Sequence, residues 1–286
     1  MEKIIKLSVE DDKVIVSDDI LSSLKQLFSG CRVNFLLGAG FSAKLLGLLN
    51  NNELIFEAVN KFQPTNEDER SKATILSAFL YWSFFKRCIA PIPKKVCVYS
   101  TDFKPYLALG TVLYRVFSER GNPALDRQFN IFTTNYDPIV ELMFDRSNCV
   151  CNDGFEGRIA PRFSTDNYSK SYYRQAMFSN RKSEIPSVNL IKIHGSVTWS
   201  EDIIEGGIEY QDFRSCISSF QEKYEPLFDD AMLSKIDTYF TASTPADAST
   251  QVSSLIVDTL LDTLIPQKGE YSGFIDAYKY SFLIVN

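Results

Sequence analysis

The chain has 286 residues, 45% hydrophobic and 13% aromatic, enough for a sizeable core and too apolar for a disordered polymer. Its formal net charge of −6 argues against a chain whose main work is neutralising phosphate backbones, so no direct nucleic-acid binding is expected. Six cysteines follow no disulfide-scaffold rhythm, no apolar signal region follows Met1, and no apolar run approaches the roughly 18 to 20 residues of a membrane helix, so the reading is cytoplasmic with no membrane partner.

In chain order, residues 3–9 and 14–16 read as short strands or an N-terminal extension, and Asp18-Asp19 precede a helix over residues 20–28 with Ile20, Leu21, Leu24, Leu27 and Phe28 on one face, ended by Gly30. Residues 32–37 form a near-continuous apolar run, which suits a parallel strand buried on both faces. The run ends abruptly at Gly38-Ala39-Gly40-Phe41-Ser42, read as a glycine turn leading into a helix over residues 42–49. Gly38 and Gly40 allow a tight turn and close approach of a ligand. Ser42 can cap the helix, whose free N–H groups then face an anion, most naturally a phosphate. The same pattern also fits a turn that uses glycine for geometry alone, and Ala43 stands where G-x-G-x-x-G has its third glycine.

Residues 53–61 and 71–90 read as helices around a polar linker at 63–70, and the aromatic cluster Tyr81, Trp82, Phe84 and Phe85 is assigned to the core. Pro91 and Pro93 end the second helix, residues 105–119 form another, and 121–123 a loop. A strand over residues 129–133 delivers Thr134-Asn135-Tyr136-Asp137 to its carboxyl end, and Pro138 opens a helix to Phe144 with Asp137 as its cap. A third strand, 188–193, delivers His194-Gly195-Ser196. Residues 213–236 read as helix broken at Pro226, 241–250 as loop, 252–265 as helix and 280–285 as a final strand.

Alternation of buried strands with helices gives the fold class: α/β, a Rossmann-like doubly wound parallel sheet with helical insertions. Ligands bind such sheets beyond the carboxyl ends of the strands, where all three polar clusters fall. His194 is the only histidine, so any imidazole base must be this residue, although a lone histidine is as readily a packed or surface group. Asn135 and Asp137, two apart, share a face of an extended segment. They suit sugar hydroxyls, a carboxamide and a positioned water, or equally Asx-turn and cap duty. Cys149-Val150-Cys151 has no second pair, so no zinc module assembles. Gly40-Phe41-Ser42-Ala43-Lys44 lacks the closing glycine of a nucleophile elbow.

Taken in order, Gly38-Ala39-Gly40-Phe41-Ser42, Thr133-Thr134-Asn135-Tyr136-Asp137 and Lys192-Ile193-His194-Gly195-Ser196 resemble the three motifs of the sirtuin fold, more narrowly of its bacterial branch found in antiphage defence. Asp153-Gly154-Phe155-Glu156-Gly157 is similar to a further stretch of that branch. The resemblance implies one domain over residues 1–286, with core pieces about 20–60, 105–200 and 270–286 and insertions about 61–104 and 205–268, that takes NAD as substrate and uses no zinc. It implies that Gly38, Ala39, Gly40, Phe41 and Ser42 hold the pyrophosphate and that Thr134 and Gly195 line the site. Asn135 would order the ribose and an attacking water, Asp137 the nicotinamide carboxamide, and His194 would be the base.

The zinc-ribbon cysteines of deacylating sirtuins are missing, and residues 48–53 replace their Pro-Asp-Phe-Arg stretch, which favours water over acyl-lysine as acceptor. An NAD+ hydrolase is the leading expectation. An NAD-dependent deacylase and a silent NAD- or ADP-ribose-binding assembly subunit are the alternatives. Members of the branch deplete NAD when phage is sensed, as homo-oligomers or with a HerA-type ATPase, an Argonaute-like protein or a sensor protein. Relatives continue past the strand matching residues 280–286 into a helix and a strand that complete the adenosine side, so this completion of the sheet is expected to be absent.

Overall fold

The computed structural model describes residues 8–10, 13–15, 18–46, 52–121, 124–201, 206–239 and 243–284. Its centre is a parallel sheet of four strands in the order Asn34–Leu37, Gln128–Thr133, Ser187–Lys192 and Val150–Asn152. Helices flank it on both sides of the sequence, so the chain is α/β and Rossmann-like, as its strand–helix alternation dictates. On one face, Phe129 stacks on Phe117 of the Lys104–Ser118 helix at 4.1 Å between centroids, and Phe28 and Phe144 close the same layer. A polar rung crosses the strands: Asn130 donates to Asn34 (2.8 Å), Asn189 to Asn130 (3.1 Å) and Asn152 to Asn189 (3.0 Å). One asparagine from each strand meets the next at the same level. A shift of register by a single residue would take the buried amides of Asn152 and Asn189 away from these partners, so the rung pins the alignment at its buried end.

The Asn34–Leu37 strand corrects one expectation. It is an edge strand, with burial that alternates and Leu36 76% exposed, because only the Gln128–Thr133 strand flanks it. An apolar run records a preference for burial but not the number of neighbours.

A second layer is helical. The Glu67–Phe84 helix starts earlier than its apolar pattern suggests: Asn66 accepts from the Glu69 amide at 2.8 Å, and the Glu69 carboxylate reaches back to the Thr65 amide at 2.7 Å. Its aromatic cluster is core, with Trp82 fully buried and stacked on Phe228 at 4.8 Å. Of the described residues, Glu67–Lys95 is the one helical stretch apolar and long enough to cross a membrane, contrary to the composition-based reading, but 67% of its most apolar window is buried inside the protein. Residues 245–250 are helix, not loop, since Thr244 accepts from the Asp247 amide and Pro245 occupies the first turn of Pro245–Val257. The chain then runs through a 3₁₀ stretch, Thr259–Gln267, into the helix Lys268–Ser281. Tyr280 and Ser281 are therefore helical, the backbone turns extended at Phe282, and Leu283–Ile284 pair antiparallel with Gly195–Ser196 outside the central sheet, while residue 285 of the expected strand lies outside the described residues.

Other expectations hold with small shifts. Ser8–Glu10 and Lys13–Ile15 form an antiparallel pair, while residues 3–7 and 16 lie outside the described residues. The helices Asp18–Gly30, Asn52–Lys61 and Lys104–Ser118 match their patterns, as does the break at Glu225–Leu227 between Phe213–Tyr224 and Asp230–Tyr239. Not anticipated is an antiparallel sheet ordered Trp199–Glu201, Ile208–Tyr210, Arg162–Phe163 and Phe155–Glu156. Phe155, Phe163, Trp199 and Tyr210 hold it together.

Two helical glycines make opposite predictions. At Gly110 a Cβ would meet Met143 Cγ at 2.8 Å and the Met143 carbonyl oxygen at 3.0 Å, whereas at Gly273 it would meet nothing within 4 Å. Gly110→Ala should therefore lose about 1–3 kcal/mol to overpacking in spite of better helix propensity. Gly273→Ala should gain about 0.5–1 kcal/mol in urea unfolding.

Candidate functional site at the carboxyl ends of the parallel strands

Leu37, Thr133 and Lys192 are the last residues of three adjacent strands and stand in register. The segments that follow are stitched together at once. Thr133 Oγ1 donates to the Leu37 carbonyl and accepts from the Asn135 amide, both at 3.0 Å, and the Ile193 amide donates to the Thr133 carbonyl at 2.9 Å. The Thr134 amide N–H donates a further hydrogen bond to the Leu37 carbonyl at 3.4 Å. The three polar clusters thus share one edge of the sheet.

Ser42 joins the first cluster to the second. Its hydroxyl donates to Asp137 Oδ2 at 2.6 Å, so its oxygen must accept, and it does so from Asn135 Nδ2 at 2.9 Å. Asn135 Nδ2 also donates to the Gly38 carbonyl at 3.0 Å, which commits both amide hydrogens and fixes the plane of the side chain. Its Oδ1, on the far side of the amide, is left to accept from a hydroxyl or a water. Pro138 takes the cap position of Ile139–Asp145 rather than opening the helix, and Asp137 Oδ1, one residue earlier, accepts from the Ile139 amide at 3.0 Å, so the carboxylate holds the first helical amide and anchors Ser42 together. All three side chains are buried.

The glycine turn differs from its expected form. Ala39–Phe41 is one 3₁₀ turn and residues 42–45 continue as turn, so no α-helix starts at Ser42 within the described residues, and residues 47–49 lie outside them. Ser42 is drawn away from capping by Asp137, and the helix-terminus reading of anion binding falls. Gly38 has an ordinary extended backbone (φ −106°) and Gly40 needs no left-handed geometry either. Both lie exposed, and a Cβ on either would meet nothing within 4 Å. Each therefore borders open space. Left-handed geometry is needed instead at Gly195, which is buried with φ +81° and turns the chain after His194. Phe41 is held by Tyr106, whose hydroxyl donates to its carbonyl at 2.7 Å and whose ring meets it edge-on. His194 is exposed at the end of its strand.

Beneath these segments lies a buried cation that motif reading alone leaves without a role. Lys192 Nζ donates to the Asp137 carbonyl (2.6 Å) and to Ser196 Oγ (3.1 Å), and pairs with Glu141 Oε1 at 2.7 Å. Burial pushes the Glu141 carboxyl up, against the opposing pull of Lys192, and among the described residues its Oε2 has no hydrogen-bond partner. Burial likewise raises the Tyr136 hydroxyl and the Asp153 carboxyl, and pushes Tyr210 up to about 12. Among the described residues no group of three or more His, Cys, Asp or Glu could hold a metal ion.

Asp153 supplies a pH test. Burial raises its folded-state value, only partly offset by the Phe155 amide that donates to it at 3.1 Å and by the Lys192 charge. The folded protein therefore holds this proton more tightly than the unfolded chain, and the associated stability, full at low pH, is lost as pH rises through the folded value. Asp153→Asn keeps the acceptor for Phe155 and removes the ionisation. Its melting temperature should exceed wild type at pH 7.5, with the gap closing as pH falls to about 4.

No curated protein matches the chain. Among protein families, the SIR2-like domain matches residues 130–243, a span that contains Asn135, Asp137 and His194 and leaves out the glycine turn. That match supports a sirtuin-like domain with an NAD-related function over this part of the chain.

Proposed function

We propose that this chain is an NAD+ glycohydrolase that splits NAD+ into nicotinamide and ADP-ribose and acts in the cytoplasm as an NAD-depleting effector of bacterial antiphage defence. The observation that carries the reading is the hydrogen-bonded chain from Asp137 through Ser42 to Asn135 and the Gly38 carbonyl, with open space beside Gly38 and Gly40. The C1′–N bond breaks with its electron pair passing to the pyridinium nitrogen, water adds to C1′, and one proton leaves. Such a reaction needs fixed dipoles and ordered water more than a strong nucleophile. Gly38, Ala39, Gly40, Phe41 and Ser42 would border the pyrophosphate, with Thr134 and Gly195 lining the pocket. Asn135 Oδ1 would order the ribose and the attacking water, and His194 would take a proton from water or a ribose hydroxyl. Asp137 retains lone pairs with which to accept from the carboxamide while holding Ser42 in place. The assembly would be a homo-oligomer, or would pair with a HerA-type ATPase, an Argonaute-like protein or a sensor protein.

Incubation with NAD+ should release free nicotinamide without any acyl-lysine peptide. Asn135→Ala and His194→Ala should each lower the rate by at least about 100-fold with unchanged circular dichroism. Turnover that depends on an acyl-lysine peptide would instead mark a deacylase, and calorimetric binding of NAD+ without cleavage a silent assembly subunit.

A further inference from the structure

We propose that Lys192 is a positioning residue of this site, one buried ammonium that locks the segment carrying Asn135 to the segment carrying His194. The inference rests on the NAD+ hydrolase reading for its kinetic consequence but not for its structural claim. Lysine is rarely buried unless it is paired, and an ammonium offers three donors. Here all three are used, and each on a different element: the Asp137 carbonyl after the second strand, Ser196 Oγ after the third, and the Glu141 carboxylate on the Ile139–Asp145 helix. Ser196 Oγ lies within hydrogen-bond distance of the Tyr136 carbonyl (3.2 Å) and of Thr198 Oγ1 (2.9 Å), and the Val197 amide donates to the Tyr136 carbonyl at 3.0 Å. The two segments are therefore cross-linked within a few residues of both Asn135 and His194. Stability alone does not call for this arrangement, since a buried ion pair is often matched or bettered by apolar side chains of similar volume. Orientation does call for it, because an apolar pair has no direction with which to hold a carbonyl and a hydroxyl at once.

The test compares wild type with Lys192→Met/Glu141→Leu, which removes both charges and leaves neither orphaned, and with Ser196→Ala, which keeps the charge pair and removes the hydroxyl that joins Lys192 to the Tyr136 carbonyl and to Thr198. In nicotinamide-release kinetics the double variant should keep its circular dichroism and melting temperature, lose about 100-fold in kcat and change its KM for NAD+ by less than about threefold. Ser196→Ala should lose about tenfold in kcat, and it carries the test if the double variant fails to fold. A folded double variant, or failing that Ser196→Ala, with wild-type kcat overturns the proposal. A second readout needs no activity: His194, the only histidine, gives one imidazole Cε1–H resonance in NMR. Ser42→Ala should shift that resonance in the wild-type background and leave it unmoved in the Lys192→Met/Glu141→Leu or Ser196→Ala background. An equal shift in both backgrounds refutes the coupling. Wild type that releases no nicotinamide yet shows the background-dependent shift would sink the hydrolase reading and leave the coupling standing.

Discussion

The single hydrogen of the Ser42 hydroxyl decides the geometry of the site. It is spent on Asp137 at 2.6 Å, which leaves the serine oxygen no option but to accept, and so dictates which end of the Asn135 amide faces the glycine turn. In a buried setting such a chain is worth most when complete, because an unmade bond costs about 1–3 kcal/mol of desolvation with nothing returned. Three residues from two distant stretches therefore act as one unit. The unit exists only because Leu37 and Thr133 end their strands at the same level.

That level is itself protected. The asparagine rung at positions 34, 130, 189 and 152 crosses the sheet three residues below its carboxyl edge, counted along the first three strands. Apolar side chains on parallel strands tolerate slippage by two residues at modest cost, whereas paired amides do not. The rung and the stitching around Thr133 thus bracket the sheet, and the polar residues at its edge inherit the alignment.

How much of this can be read from sequence follows from the range of each interaction. Strands 129–133 and 188–193 were legible because apolar and β-branched residues end in polar turns, and the shared edge followed from parallel topology. Leu36 could not be read as exposed, since its neighbours are set by the whole sheet and not by the run it sits in. Ser42 looked like a helix cap because its competitor, Asp137, lies 95 residues away. The caps at Asn66 and Thr244 have local signatures, Asn-x-x-Glu and Thr-Pro-x-Asp, but the apolar periodicity of each helix starts later than its cap. The antiparallel sheet, built from strands of two or three residues, carries too little alternation to register. Tyr106 has no local signal at all; its hydroxyl finds Phe41 only in the fold.

The helical layer is more than packing, because it reaches the edge of the sheet through Tyr136. The Tyr136 ring meets Phe84 edge-on at 5.4 Å, while its carbonyl accepts from Ser196 and Val197. Tyr136 lies between Asn135 and Asp137, so the backbone that presents the amide and the carboxylate is gripped from the aromatic core on one side and from the third strand on the other. Charge is arranged with the same economy. Asp137 and Glu141 place two carboxylates below the edge, and Lys192 offsets one of them without touching the carboxylate of Asp137, binding only its carbonyl. The Asp137 carboxylate is held instead by hydrogen bonds from the Ser42 hydroxyl and the Ile139 amide, so the tie through Lys192 and the tie through Ser42 meet at one residue through separate atoms.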